Sequence, residues 1–205
     1  MRNMPVIEEG RHRFEFPEAD GWFACKYDET DFYRQRAAPI TYRYDDVPAE
    51  ARCKGEGIRG VDIVAVIGRE ITLLEIKDFS EDAAGLRAKV ASGEIPAVIA
   101  QKALHTWGAL CLGARNGDDL LPIELQTAVS GSPERLRVVF FLAQKPLKPS
   151  PRERDTRQRE NARRQQRQDI RTKLLSLLRP LGMDGDLADV GDLPRHCGWT
   201  VTELP

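Results

Sequence analysis

Two apolar runs in the middle of the chain predict a buried β-hairpin. Residues 61–67 read VDIVAVI and residues 70–78 read EITLLEIKD, with Gly68-Arg69 between them. A two-residue connection that begins with glycine is typical of a type II′ hairpin turn. Both runs are apolar at odd-numbered and even-numbered positions, which is typical of strands in the middle of a sheet covered on both faces.

Periodic patterns on both sides of the hairpin predict further strands and helices. An apolar stripe at helical spacing runs from Ile95 to Ala114, and Lys102 is the only charged residue in that span. The remaining predicted elements are strands at 22–27, 41–44, 135–144 and 197–204, helices at 28–36, 80–90 and 152–178, and a glycine-rich loop at 54–60.

This order of elements predicts an α/β fold with a mixed sheet flanked by helices. The chain of 205 residues fits a single domain over 1–205. Within it we expect a core at about 40–145, followed by an arginine-rich helical segment at 151–179 and a final strand at 197–204.

Composition excludes several classes of protein. The 31 basic and 32 acidic residues give a net charge of -1, which argues against a wholly basic nucleic-acid binder but not against a local basic patch. No apolar run approaches the ~20 residues of a membrane helix, and no signal peptide is evident at the start. The four cysteines and three histidines lack the spacing of zinc ligands. We therefore expect a cytoplasmic protein with reduced thiols and no membrane partner.

The hairpin register brings two carboxylates together. A two-residue turn pairs Ile67 with Glu70, and the same register places Asp62 opposite Glu75. Lys77, two residues further on, points to the same face. Opposed carboxylates repel, so a shared proton, the lysine or a divalent cation must offset the repulsion. Oxygen ligands of this kind suit Mg²⁺ or Mn²⁺. The alternative is an exposed strand edge with an ordinary salt bridge.

Asp62 followed after twelve residues by Glu75-Ile76-Lys77 resembles the signature of the PD-(D/E)XK nuclease superfamily. The resemblance covers about residues 60–144 and implies a restriction-endonuclease-like fold. It implies that Asp62, Glu75 and the backbone carbonyl of Ile76 bind Mg²⁺ or Mn²⁺, and that Lys77 orients or activates the attacking water. Val61 stands at the position of the nominal proline.

Two further positions follow from the same resemblance. Gln101 lies in the helix that follows the strand carrying Lys77, where the family often has a glutamine that assists phosphate or water placement. The alternative is a structural role, in which Gln101 bonds to a nearby loop. The family also has an upstream helical acid. Glu29 is the first candidate for this further metal ligand, and Glu18 and Glu50 are the alternatives.

The arginine-rich segment carries a local positive charge. Residues 152–173 hold nine basic and four acidic residues. Such a run is usually a solvated helix with internal ion pairs. Its richness in arginine also suits contacts with phosphate, for which Arg163, Arg164 and Arg167 are the candidates.

Together these features predict a Mg²⁺- or Mn²⁺-dependent nuclease acting on nucleic acid, with DNA favoured. The alternative is a non-catalytic scaffold subunit that retains the fold and binds nucleic acid or protein. We expect the arginine-rich helix to bind nucleic acid, to form the contact of a homodimer, or to bind a partner protein.

Overall fold

The computed structural model describes residues 5–17, 21–39 and 58–204. The predicted strand at 41–44 and residues 54–57 of the glycine-rich loop lie outside this part of the chain. The strands are β1 (Val6–Glu9), β2 (His12–Glu15), β3 (Trp22–Lys26), β4 (Ile63–Ile67), β5 (Glu70–Asp78), β6 (Arg135–Ala143), β7 (Asp184–Ala188) and β8 (Thr200–Glu203). The helices are α1 (Ala83–Ser92), α2 (Glu94–Asn116), α3 (Ile123–Ser130) and α4 (Glu153–Leu178).

A five-stranded mixed sheet forms the centre of the molecule, in the order β3-β4-β5-β6-β7. The first three strands are antiparallel, and β5, β6 and β7 are parallel. Helices α1, α2 and α4 pack against one face of the sheet. There their apolar side chains share a core with alternate residues of β4, β5 and β6. The predicted α/β class and mixed sheet flanked by helices are therefore confirmed.

The central hairpin has the predicted register. Ile67 pairs with Glu70 and Ile63 pairs with Leu74, and Gly68 has the positive φ of 54° that a primed turn requires. Odd-numbered residues of β5 face the helices and even-numbered residues face the opposite side. Both faces of the hairpin are buried, because each has a separate layer packed on it.

The opposite face of the sheet is covered by a second, three-stranded antiparallel sheet in the order β1-β2-β8. The predicted final strand therefore exists as β8, but it belongs to this small sheet. Phe14 and Phe16 on the β2 side, with Trp199 beside β8, fill the space between the two sheets. Each of these short strands buries only alternate residues, so its sequence pattern is weak.

The structure also corrects several predicted elements. The segment 28–36 was expected to be one short helix. Instead it contains a 3₁₀ turn at Tyr27–Glu29 and a π-helical turn at Tyr33–Ala37, separated where the Thr30 hydroxyl bonds to the Tyr27 carbonyl at 2.7 Å. Strands β1, β2 and β7 and helix α3 were not predicted. β7 reads DGDLA, and Asp and Gly are depleted in strands, so its sequence resembles a loop.

Helix α4 confirms the predicted arginine-rich helix. Only its C-terminal part is anchored, because Ile170, Leu174 and Leu178 are its buried residues. Within the described ranges, no helix is both long enough and apolar enough to cross a membrane.

Candidate active site

Asp62 sits at the entrance to β4 and is fixed by backbone contacts. Its Oδ2 accepts a hydrogen bond of 2.6 Å from the backbone N–H of Ile76 on the neighbouring strand. Its own carbonyl accepts the backbone N–H of Tyr27 at 2.9 Å. The hairpin register therefore brings Asp62 beside Glu75 and Ile76, as the sequence predicts.

Glu75 is a completely buried carboxylate held by two lysines. The Lys102 Nζ lies 2.8 Å from both Oε1 and Oε2 of Glu75, and the Lys77 Nζ lies 2.6 Å from Oε1. Lys102 also lies 3.6 Å from Oδ1 of Asp62. Two carboxylates and two ammonium groups form one compact cluster whose formal charges cancel, which satisfies the requirement that buried charges be paired.

The cluster has one buried end and one open end. Burial raises the pKa of Glu75 above its ordinary value and the nearby charge of Asp62 adds to the rise, while Lys102 and Lys77 act against it. Burial alone would lower the pKa of Lys77, but the attraction of Glu75 raises it overall. Lys77 is 40% exposed, so it links the buried carboxylate to solvent and stays protonated at neutral pH.

Asp28, one residue before the predicted Glu29, is an upstream acid that interacts electrostatically with Asp62 of this cluster. Burial raises the pKa of Asp28, and the neighbouring charge of Asp62 raises it further. The Oδ1 of Asp28 is buried and has no hydrogen-bond partner in the described part of the chain. Glu29 is exposed and pairs with Lys26 at 2.8 Å. The alternatives Glu18 and Glu50 lie outside the described residues.

Helix α2 contributes Lys102 to the cluster, while the predicted Gln101 is exposed to solvent. No hydrogen bond within 5–17, 21–39 and 58–204 joins Gln101 to the carboxylates. Lys102 was the residue that sequence reasoning missed as a site residue. Its signal was its position as the only charged residue between Ile95 and Ala114, since a lone buried charge needs a partner.

The three candidate arginines of α4 face two different surfaces. Arg163 donates to the carbonyl of Lys145 at 3.0 Å and to the Gln144 side chain at 3.1 Å, which ties it to the end of β6. Arg164 is exposed, and Nη1 of Arg167 lies 2.8 Å from Oδ2 of Asp189. The helix therefore does not present these arginines as one continuous patch.

A groove of about 720 Å³ lies between α1 and α4. Phe79, which lines it, directly follows the last residue of β5 and lies two residues beyond Lys77. Two residues of extended chain span about 7 Å, so the groove begins close to the exposed lysine. Its basic lining residues are Arg87, Lys145, Arg159, Arg163 and Lys173, against the single acid Asp169.

The carboxylates fit a hard divalent cation in donor type. Asp62, Glu75 and Asp28 offer the oxygen ligands that Mg²⁺ and Mn²⁺ take, and the orphaned oxygen of Asp28 has unused capacity. The carboxylate of Glu75 is already paired, because the Nζ of Lys102 bonds to both of its oxygens. Among the described residues, no group of three or more His, Cys, Asp or Glu side chains has the geometry of a metal site. A cation at Glu75 would therefore compete with Lys102 for these oxygens.

This geometry brings together two carboxylates, a protonated lysine and a basic groove on one face of the sheet. Such an arrangement is suited to handling a phosphate ester. Comparisons of the chain with protein-family models, with curated proteins and with solved structures found no match.

Proposed function

We propose that the chain is a Mg²⁺- or Mn²⁺-dependent nuclease that hydrolyses phosphodiester bonds in nucleic acid, with DNA favoured. We propose in addition that its core has the restriction-endonuclease-like fold of the PD-(D/E)XK superfamily. One observation carries the proposal: Asp62, Glu75 and Lys77 meet on one face of a buried hairpin, and the lysine is the most exposed of the three.

In this proposal Asp62, Glu75 and the Ile76 carbonyl hold the cation, and Asp28 takes the place first given to Glu29. A bound cation would supply Lewis acidity at the phosphate and lower the pKa of a bound water. Lys77 keeps its proton and directs its ammonium group outward, where it orients the attacking water and stabilises negative charge as it develops. Its contact with Glu75 at 2.6 Å holds it in that position.

Lys102 takes the helix position first given to Gln101. In the structure it neutralises Glu75 and lies 3.6 Å from Asp62. A bound cation would take over the neutralisation of Glu75, and the Lys102 ammonium group could then supply a second positive charge beside the phosphate. This exchange lets the buried carboxylates stay ionised both before and after binding, since each state supplies them with a positive partner.

The substrate class is supported by the groove between α1 and α4. Its five basic residues and one acidic residue favour a phosphate backbone. Because the groove starts two residues beyond Lys77, a strand lying in it would pass the exposed ammonium group.

A second candidate function is a non-catalytic scaffold subunit. The closed pairing of Glu75 with two lysines favours it, because that pairing satisfies the carboxylate with no cation present. The exposed N-terminal half of α4 would then bind nucleic acid, a second copy of the chain or a partner protein.

The deciding experiment is a cleavage assay on plasmid, linear duplex and single-stranded DNA and on RNA, with Mg²⁺, Mn²⁺ or EDTA. The variants are Lys77→Met and, as the control, Lys89→Met, which removes an exposed lysine that also pairs with a glutamate, at 3.2 Å. We expect cation-dependent cleavage that falls about 100-fold or more in Lys77→Met and is unchanged in Lys89→Met. Folding of each protein is checked by thermal unfolding.

Equal cleavage by Lys77→Met and the wild type would contradict the proposed role of the lysine. Folded wild-type protein that cleaves no substrate with any cation would favour the scaffold function.

A further inference from the structure

A second basic cavity lies at the outer edge of the main sheet, on the other side of α4 from the groove. It has a volume of about 380 Å³ and is enclosed by α4, β7 and the loop that precedes β8. Its charged lining residues are Arg164, Arg167, Arg171, Asp186, Asp192 and Arg195, and His196 completes the wall.

Two of the arginines are held in place by acidic partners. Arg167 lies 2.8 Å from Asp189, and Arg171 lies 3.4 Å from Oδ1 of Asp186. The other oxygen of Asp186 lies 3.0 Å from Nε2 of His196. Asp186 is therefore shared between Arg171 and His196, and Nε of Arg137 also lies 3.9 Å from its Oδ2.

The other two arginines have no acidic partner. Arg164 on α4 and Arg195 on the loop are both exposed, and neither forms a hydrogen bond or ion pair with another described residue. The lining has four guanidinium groups and two carboxylates, and Asp189 beside Arg167 adds a third carboxylate, so an excess of one positive charge remains before His196 is counted.

Arg167 is already served by carboxylates. Its Nη1 lies 2.8 Å from Oδ2 of Asp189, and its Nη2 lies 3.7 Å from Oδ2 of Asp192. The capacity of the cavity for a further anion therefore lies with Arg164 and Arg195.

We propose that this cavity binds a polyphosphate group, with Arg164 and Arg195 gripping two adjacent phosphates from opposite walls. The planar fork of arginine matches phosphate oxygens in a bidentate manner. The two unpaired arginines, one on α4 and one on the loop, fit two adjacent phosphates. These phosphates come either from a free diphosphate or nucleotide, or from consecutive positions of a nucleic-acid backbone.

This inference does not rest on the proposed nuclease function. β6 lies between β5, which carries Glu75, and β7, which carries Asp186. Asp186 is the register partner of Val139, which faces the small sheet, whereas Glu75 is the partner of Phe140, which faces the helices. The two sites therefore lie on different strands and point to different faces.

The test is the binding of inorganic pyrophosphate to the full chain at constant ionic strength, measured by calorimetry and by the shift of the melting temperature. The double variant Arg164→Gln with Arg195→Gln removes the two unpaired arginines. The matched control is Arg115→Gln with Arg154→Gln, which also removes two exposed positive charges, and Arg154 lies on the same helix ten residues, or about 15 Å, before Arg164.

We expect pyrophosphate to raise the melting temperature of the wild type and the control equally. The cavity variant should bind at least about tenfold more weakly. Equal losses in both double variants, or no binding by the wild type beyond that of chloride at the same ionic strength, would overturn the proposal.

Competition then distinguishes the two sources of phosphate. Displacement of pyrophosphate by a single-stranded oligonucleotide without a terminal phosphate assigns the cavity to the nucleic-acid backbone. Displacement by nucleoside di- and triphosphates alone assigns it to a free ligand. Because the readout is binding, it is independent of whether the chain cleaves nucleic acid.

Discussion

The two faces of the five-stranded sheet are built from the same strands but are used differently. The face under the small sheet, here called the aromatic face, includes a cluster of rings, with Phe14 against Phe141 at a ring separation of 5.1 Å. It buries the charged Arg137, which lies 3.7 Å from Glu70 and 3.9 Å from Asp186. The face under the helices is equally well buried, but it carries the paired Glu75 and Lys102 at one end of its apolar core.

The difference teaches where a buried charge can be tolerated. Rings on the aromatic face find partners in other rings, and packing alone stabilises them. Glu75 is tolerated on the helical face because α2 supplies an ammonium group at hydrogen-bonding distance and Lys77 supplies another. Adjacent residues of β6 show the contrast, since Phe140 is the register partner of Glu75 while Phe141 belongs to the aromatic face.

Truncating either phenylalanine should give the largest change in stability. We expect Phe141→Ala and Phe140→Ala each to lower the free energy of unfolding by about 3–5 kcal/mol, because both side chains are completely buried. Only Phe140→Ala should also alter cation binding or cleavage, since it removes the neighbour of Glu75. Urea denaturation and the cleavage assay measure the two effects. A change in cleavage kinetics in folded Phe141→Ala protein would break the distinction between the faces.

Removing Lys102 tests whether the charged cluster depends on α2. We expect Lys102→Met to lower the free energy of unfolding at pH 7 by about 3 kcal/mol, because Glu75 keeps only Lys77 as a partner. The double variant Lys102→Met with Glu75→Leu should recover most of that loss, because no unpaired carboxylate remains. Urea denaturation of all three proteins provides the measurement. A single variant as stable as the wild type would show that Lys102 is not needed for pairing.

The pH dependence of cleavage gives a smaller and more specific effect. Burial raises the pKa of Glu75 above its ordinary value of 4.5, so its ionised form is lost at a higher pH than for an exposed glutamate. If cation binding needs ionised Glu75, the cleavage rate should fall as pH decreases through that raised value. Lys102 acts to lower the pKa of Glu75, so Lys102→Met should move the acid limb to higher pH.

The matching control for the pH profile is Lys89→Met, whose ion pair is with Glu94 on the surface. Its acid limb should coincide with that of the wild type. If the cleavage rate of Lys102→Met falls at the same pH as that of the wild type, another group controls the acid side of the profile.

The hairpin and its chemistry were predictable because their interactions are local. The Gly68-Arg69 turn sets the strand register, and the alternation of a strand then places Glu75 and Lys77 on one face. The long apolar helix and the arginine-rich helix were predictable from their periodicity. The small sheet was only partly predictable, since β1 and β2 are short strands that pair with β8 from the far end of the chain.

Other site residues depended on contacts between distant segments. Asp28 approaches Asp62 because the chain leaves β3 through a 3₁₀ turn rather than through the helix expected there. Arg163 and Arg164 are adjacent in sequence, yet α4 packs so that one lines the groove and the other lines the outer cavity. Neither placement follows from local patterns.

The sequence by itself determined the grouping of Asp62, Glu75 and Lys77, because a tight turn and strand alternation leave one arrangement. Only the tertiary structure decided between Gln101 and Lys102, which lie about 100° apart around a helix. The buried hydroxyl of Thr106 accepts the backbone N–H of Val61 at 3.0 Å and thereby fixes the rotation of α2. Lys102 lies one turn earlier on that face, so packing and this long-range hydrogen bond direct it to Glu75.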